Sequence, residues 1–213
     1  MTQQSIHQGQ PVLTLGAPLE QARGAVILLH GRGANAQSMA ALAGALPSDG
    51  ITYLLPQAAG STWYPRSGFG PFDLNQPYLA SALAVVDELV AHVRASGLSD
   101  DKLVLGGFSQ GAVLTTEYVV QHPTRYGGLL IFSGALMGPD DTPRDHPGSF
   151  DGTPTLVGGV THDSWVSEAQ LRRTAEVLAR MDAAVTFDLH PGSEHGIRAS
   201  EVETAAQIIG ALG

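Results

Sequence analysis

Six short runs of apolar and β-branched residues narrow the fold of this chain more than any other feature: AVILLH at 25–30, ITYLLP at 51–56, KLVLGGF at 102–108, GGLLIFSG at 127–134, TPTLVGGV at 153–160 and AVTFDLH at 184–190. They are nearly continuous rather than alternating, as expected of strands covered on both faces of a parallel sheet. PVLTL at 11–15 adds a candidate edge strand. Helical patterns fall between them. Leu79, Leu83, Val86, Leu89, Val90 and Val93 share one amphipathic face. A further helix is predicted to begin at or just after Ser109 and to stop before Pro123, because the residue ahead of a proline disfavours helical backbone. Ser167 is a candidate N-cap for a helix carrying Leu171, Ala175 and Leu178, and a last helix runs from Ser200 toward the C-terminus. This alternation predicts an α/β fold with a mostly parallel central sheet and helices on both faces. In such sheets ligands bind beyond the carboxyl ends of the strands.

The 213 residues, 43% hydrophobic and 15% charged, fit one domain spanning 1–213 with a substantial core. Only 11 Lys and Arg are present, scattered through a chain of net charge −9, which argues against nucleic acid and anionic membrane surfaces as partners. No apolar run approaches the roughly 18 residues of a membrane helix, so stable membrane insertion is not expected. The N-terminal segment MTQQSIHQGQP has neither the basic cluster nor the apolar core of a leader, and the expected location is cytoplasmic. Cysteine is absent, which removes disulfides, thiolate metal sites and cysteine nucleophiles.

One word stands where chemistry is expected. Gly107-Phe108-Ser109-Gln110-Gly111 follows a predicted buried strand and opens a predicted helix. A serine in so sharp a turn presents its hydroxyl above the sheet, and small neighbours are needed where strand and helix nearly touch. The competing reading is a polar residue in a glycine-rich turn. A nucleophile of this kind needs an acid and then a base further along the chain. After the last predicted strand, PGSEHGI offers His195 in a Gly- and Ser-containing loop, while His190 still belongs to the strand end. Asp163 is the only carboxylate between the strand at 153–160 and the next helix, ahead of Asp140, Asp141, Asp145 and Asp151 in a Pro- and Gly-rich segment. Its role would be to accept the Nδ1 proton of His195 and hold that tautomer.

An oxyanion site needs two preorganised donors. The backbone N–H of Gln110, directly after Ser109, is one candidate, and that of Arg32 in LLHGRGANA is the other. Gly31, Gly33 and Ala36 also spell a dinucleotide-binding word after a strand. The acidic residue that would hold the ribose is missing, since the next strand ends in Pro56-Gln57 and Asp49 lies at its opposite end. No cofactor is expected. His162, Asp163, Glu194 and His195 lack the dense ligand spacing of a metal site.

The stretches LLHGRGAN, LLPQAAGSTWYPRSG, GGFSQGAVL, GVTHDSWV and HPGSEHGI, in this order from Leu28 to Ile197, resemble the phospholipase/carboxylesterase family of small α/β-hydrolases, which includes acyl-protein thioesterases. The resemblance implies an α/β-hydrolase fold, a triad at Ser109, Asp163 and His195, and oxyanion donors at Arg32 and Gln110. It also implies that Trp63, Tyr64 and Phe69 border the acyl pocket. In the acid loop, Thr161 stands where the family often has an acidic residue, and Ser167 follows Val166 in place of proline. The pocket segment looks shorter than that of the eukaryotic thioesterases. The resulting expectation is a cofactor-independent serine hydrolase of carboxylic esters with short or medium acyl chains. Lysophospholipase or acyl-(protein) thioesterase activity is the alternative within the family, and a binding protein on a hydrolase fold is the non-enzymatic one. The expected partner is a small ester or thioester, and a homodimer is left open.

Overall fold

The computed structural model describes residues 5–213; the first four residues of the N-terminal segment lie outside it. Seven strands form one sheet: β1 (Val12–Gly16), β2 (Gly24–Leu29), β3 (Ile51–Pro56), β4 (Leu103–Phe108), β5 (Gly128–Phe132), β6 (Pro154–Val160) and β7 (Ala184–His190). Their order across the sheet is β1-β3-β2-β4-β5-β6-β7, parallel throughout except for β1 against β3. Each predicted strand is present within two residues of its expected bounds. Every residue of β2 and β3 is buried, which is why these stretches show no alternation. β1 does alternate, as an antiparallel edge strand with one open face should.

Side chains leaving opposite faces of the sheet build two core layers. Ala25, Ile27 and Leu29 of β2 pack with helices α2 (Tyr78–Ala95), α3 (Gln110–Gln121) and α4 (Glu168–Arg180). Val26 and Leu28 face the other way, toward α1 (Ala36–Ala43) and α5 (Ala199–Gly210). Each fully buried aliphatic side chain contributes about 1.5–3 kcal/mol. Ser167 caps α4 as expected: its hydroxyl accepts the Gln170 N–H, and the Gln170 amide oxygen accepts the Ser167 N–H. α5 starts one residue before Ser200 and ends at Gly210. α1 was not apparent in the sequence. It is eight residues long, half of them alanine, and is signalled only by Asn35, whose side chain accepts the Ser38 N–H at 2.9 Å.

The strand order places a crevice. β3 lies on one side of β2 and β4 on the other, so the loops leaving β2 and β4 part at their carboxyl ends, where open α/β sheets bind ligands. The loops leaving β6 and β7 reach the same edge and are joined by backbone hydrogen bonds, Thr161 N–H to His190 O and His162 N–H to Gly192 O, both 2.9 Å.

Behind this edge, the Glu201 side chain lies fully buried in the first turn of α5. One carboxyl oxygen accepts the Arg198 N–H at 2.5 Å, and the other has no partner among the described residues. Gly158 of β6 makes room for it, since a Cβ there would stand 1.8 Å from Glu201 Oε1. Burial raises the Glu201 pKa to about 7 against the pull of the Arg198 N–H, and nearby Asp188 adds to the rise. The folded state therefore holds a proton that the unfolded chain releases near pH 4.5. Stability from this group is complete below that pH and is lost as the pH rises through about 7, a span worth about 3 kcal/mol. Glu201→Gln keeps the acceptor and cannot ionise. Urea unfolding at pH 5 and pH 8 should show a smaller loss between the two in the variant than in the parent, by up to that amount; equal losses would contradict this account.

Candidate active site

Only Ser109 separates the end of β4 from the start of α3. Its backbone sits at φ 54°, ψ −118°, a region that side-chain-bearing residues rarely occupy and that costs about 1–3 kcal/mol. Two hydrogen bonds hold it there: Ser109 N–H to Phe132 O on β5 at 2.9 Å, and Val113 N–H to Ser109 O at 3.0 Å. The helix starts hard against the sheet. A Cβ on Gly111 would lie 2.2 Å from Leu29 O, and one on Gly107 would lie 2.6 Å from the Gly111 carbonyl carbon. These two glycines are required by close approach, and the N-terminal end of α3 faces the crevice, where its dipole favours negative charge.

The loops after β6 and β7 bring Asp163 and His195 together, with His195 Nδ1 2.6 Å from Asp163 Oδ2. The Asp163 side chain is 1% exposed. Its other oxygen accepts the N–H groups of Trp165 at 2.7 Å and Val166 at 3.2 Å, so the carboxylate is aimed by its own loop. With Asp163 as acceptor, the His195 proton resides on Nδ1 and Nε2 keeps its lone pair. Nε2 is buried and has no hydrogen-bond partner among the described residues. The ring packs on Phe108 at a centroid distance of 4.9 Å and lines the same cleft as Ser109. His190 is engaged elsewhere, 3.0 Å from Asp188 and 2.9 Å from Ser200. Asp140, Asp141, Asp145 and Asp151 do not line the cleft.

The backbone beside the two candidate donors is arranged by a histidine that sequence reasoning passed over. His30 is buried; its Nδ1–H donates to Gly31 O at 2.8 Å, and its Nε2 accepts the Ala58 N–H at 3.1 Å. Burial lowers its pKa and keeps it neutral, in the one tautomer that serves both bonds. Because the peptide is planar and trans, fixing the Gly31 carbonyl turns the Arg32 N–H the opposite way. The N–H groups of Arg32 and Gln110 have no partner among the described residues. The Gln110 side chain is a clamp: Oε1 accepts from Trp63 N–H (2.9 Å) and Thr62 Oγ1 (3.2 Å), and Nε2 donates to Tyr64 O (2.7 Å).

The cleft has a volume of about 690 Å³. Tyr64 and Phe69 line it, with Val113. Trp63 does not. It is fully buried between His7 and His30, and its indole N–H donates to His30 O at 2.9 Å, so it supports the wall from behind. Arg66 and Trp165 also line the cleft, although nothing in the sequence pattern marked them. Trp165 is 71% exposed. Among the described residues no three His, Asp or Glu side chains gather as a metal would require, and no helix is long and apolar enough to cross a membrane.

The family model described as Phospholipase/Carboxylesterase matches residues 13–212. The chain belongs to that family. A phospholipase/carboxylesterase from Dyadobacter fermentans DSM 18053 superposes with a TM-score of 0.91 at 35% identity, covering 98% of this chain and 99% of that one. Acyl-protein thioesterase 1 of Debaryomyces hansenii is 23% identical over 93% of this chain and 95% of its own length. The Bacillus cereus carboxylesterase shares the fold, with a TM-score of 0.75 at 18% identity over 97% of this chain and 96% of that one. The protein is thus a hydrolase of the phospholipase/carboxylesterase family with an α/β-hydrolase fold. As a family member it should depend on the tight start of α3. Gly111→Ala is expected to cost about 3 kcal/mol, by overpacking against the Leu29 carbonyl. Chemical denaturation would measure this, and a cost under about 0.5 kcal/mol would show that the approach is not tight.

Proposed function

We propose that the protein is a serine hydrolase that cleaves carboxylic esters of short to medium acyl chains through an acyl-enzyme. The observation that carries this reading is the 2.6 Å contact between Asp163 and His195, which leaves Nε2 unpartnered in the cleft that Ser109 lines. His195 takes the Ser109 proton as the serine oxygen attacks the acyl carbon. Negative charge on the tetrahedral oxygen is met by the N–H groups of Arg32 and Gln110 and by the N-terminal end of α3. As the carbon–oxygen bond to the leaving group breaks, His195 returns its proton to the departing alcohol. Water, activated by the same imidazole, then attacks the acyl carbon, releases the acid and restores Ser109.

Tyr64, Phe69 and Val113 would hold the acyl chain, and a cleft of about 690 Å³ suits a small ester. Thioesters would use the same machinery, since a thiolate leaves more readily than an alkoxide. The similarity to acyl-protein thioesterases over most of the chain keeps that second reading in view. A profile of kcat/KM against acyl length, for matched oxygen and sulfur esters, separates the two.

A fluorophosphonate should add once, at Ser109, as read by peptide mass mapping. Ser109→Ala should lower kcat by about 10⁴-fold or more, and Asp163→Asn by about 10³–10⁴-fold with little change in KM. Labelling at another residue, or esterase activity that survives Ser109→Ala, would overturn the assignment. Absence of both turnover and labelling would favour a binding protein on this fold.

A further inference from the structure

The cleft is lined by two arginines, Arg32 and Arg66, and by no carboxylate. This is unexpected in a chain with 20 acidic residues against 11 basic ones. The two guanidinium groups are used differently. That of Arg32 is committed to the protein: Nη1 donates to Pro65 O at 2.9 Å, Nη2 donates to Arg66 O at 2.6 Å, and the group stands 5.8 Å from the Tyr64 ring centroid. That of Arg66 makes no hydrogen bond or ion pair among the described residues. Elsewhere Arg94, Arg144, Arg172 and Arg198 each find a carboxylate, and Arg23, Arg125 and Arg173 donate to backbone carbonyls. Arg180 shares with the exposed Arg66 the lack of a partner among the described residues, but it does not line the cleft.

The backbone beneath Arg66 is held on both sides. Its N–H donates to Asn75 Oδ1 at 2.8 Å, its carbonyl accepts from Arg32, and Asn75, itself fully buried, donates to Ser67 O at 3.0 Å. A polar side chain is thus buried in holding the base of a charged one that has nothing of its own to bind. Such an anchor reduces the ordering cost of any contact the guanidinium makes with a ligand. With Arg32 beside it, the side chains lining the cleft include two guanidinium groups and no carboxylate, Asp163 standing behind His195, and this charge balance favours an anionic substrate. A guanidinium also presents a planar fork that matches carboxylate and phosphate oxygens.

We propose that Arg66 is a specificity determinant that holds an anionic group, carboxylate or phosphate, on the ester substrate. This rests on the reading that esters are cleaved at Ser109, and adds that the preferred ester is charged. The test compares kcat/KM within matched pairs. A p-nitrophenyl hemiglutarate against the valerate places the charge on the acyl half. A butyryl ester of 4-hydroxybenzoate against that of 4-hydroxybenzamide places a carboxylate on the leaving half, and butyryl glycerol 3-phosphate against butyryl glycerol places a phosphate there. The protein should prefer the anionic member of at least one pair by about tenfold, less at high salt. Arg66→Gln should remove that preference, Arg66→Lys should keep part of it, and Arg66→Glu should reverse it.

The pair that responds identifies the half and the anion. No anionic preference in the parent, or a preference that survives in Arg66→Gln, would overturn the proposal while leaving ester hydrolysis intact. Turnover of none of the esters would overturn the hydrolase reading, and this one with it.

Discussion

The approach of α3 to the sheet is the constraint on which the rest of the site depends. A helix that begins so close to the sheet that a Cβ at Gly111 would stand 2.2 Å from Leu29 O leaves the preceding residue no ordinary backbone conformation. Ser109 takes the strained one, and hydrogen bonds to β5 and within α3 keep it there. Residues 110–120 of α3 are all buried, so the helix cannot tilt to relieve the strain. The position of one hydroxyl is therefore set by three strands and a core helix, in the manner expected of functional strain that is over-determined by its surroundings.

Around that point, the polar groups are oriented before any ligand arrives. Asp163 is aimed by two N–H groups of its own loop. The loops carrying Asp163 and His195 are joined by paired backbone bonds. His30 stays neutral because it is buried, and by holding the Gly31 carbonyl it turns the next peptide. In the proposed mechanism none of these groups must reorganise when charge develops, which is where electrostatic assistance gains most of its value. Even the unusual Glu201 fits the pattern. Burial holds its proton up to about pH 7, and Gly158 leaves the space it occupies.

The strands were legible because burial on both faces leaves an unbroken apolar signature, and the contact of Asp163 with His195 beside the cleft that Ser109 lines was legible because chain order and strand ends restrict where such groups can meet. Other features had no comparable signal. α1 is short and alanine-rich, with no strong stripe to mark it. Trp63, Tyr64, Arg66 and Phe69 lie in an irregular segment without periodicity, so nothing local determines which side chains face the cleft and which face the core. Trp63 turned inward because its indole N–H finds the His30 carbonyl there. Glu201, in the first turn of a helix, reads in sequence as a solvated N-terminal acid, and only the loop and strand packed over it make it a buried one.

Gln110 joins two parts of the site that are usually considered separately. Its backbone N–H is the donor proposed for the oxyanion, and its side-chain amide clamps residues 62–64. Substitution of the side chain leaves a backbone donor in place, so a change at this position alters the wall of the cleft before it alters the oxyanion site. Among divergent relatives, the identity of residue 110 and the path of the 62–64 segment should then change as a pair. In library work on the proposed ester hydrolysis, Gln110 is then grouped with the residues that line the cleft, and a loss of rate there is first a sign of a displaced wall.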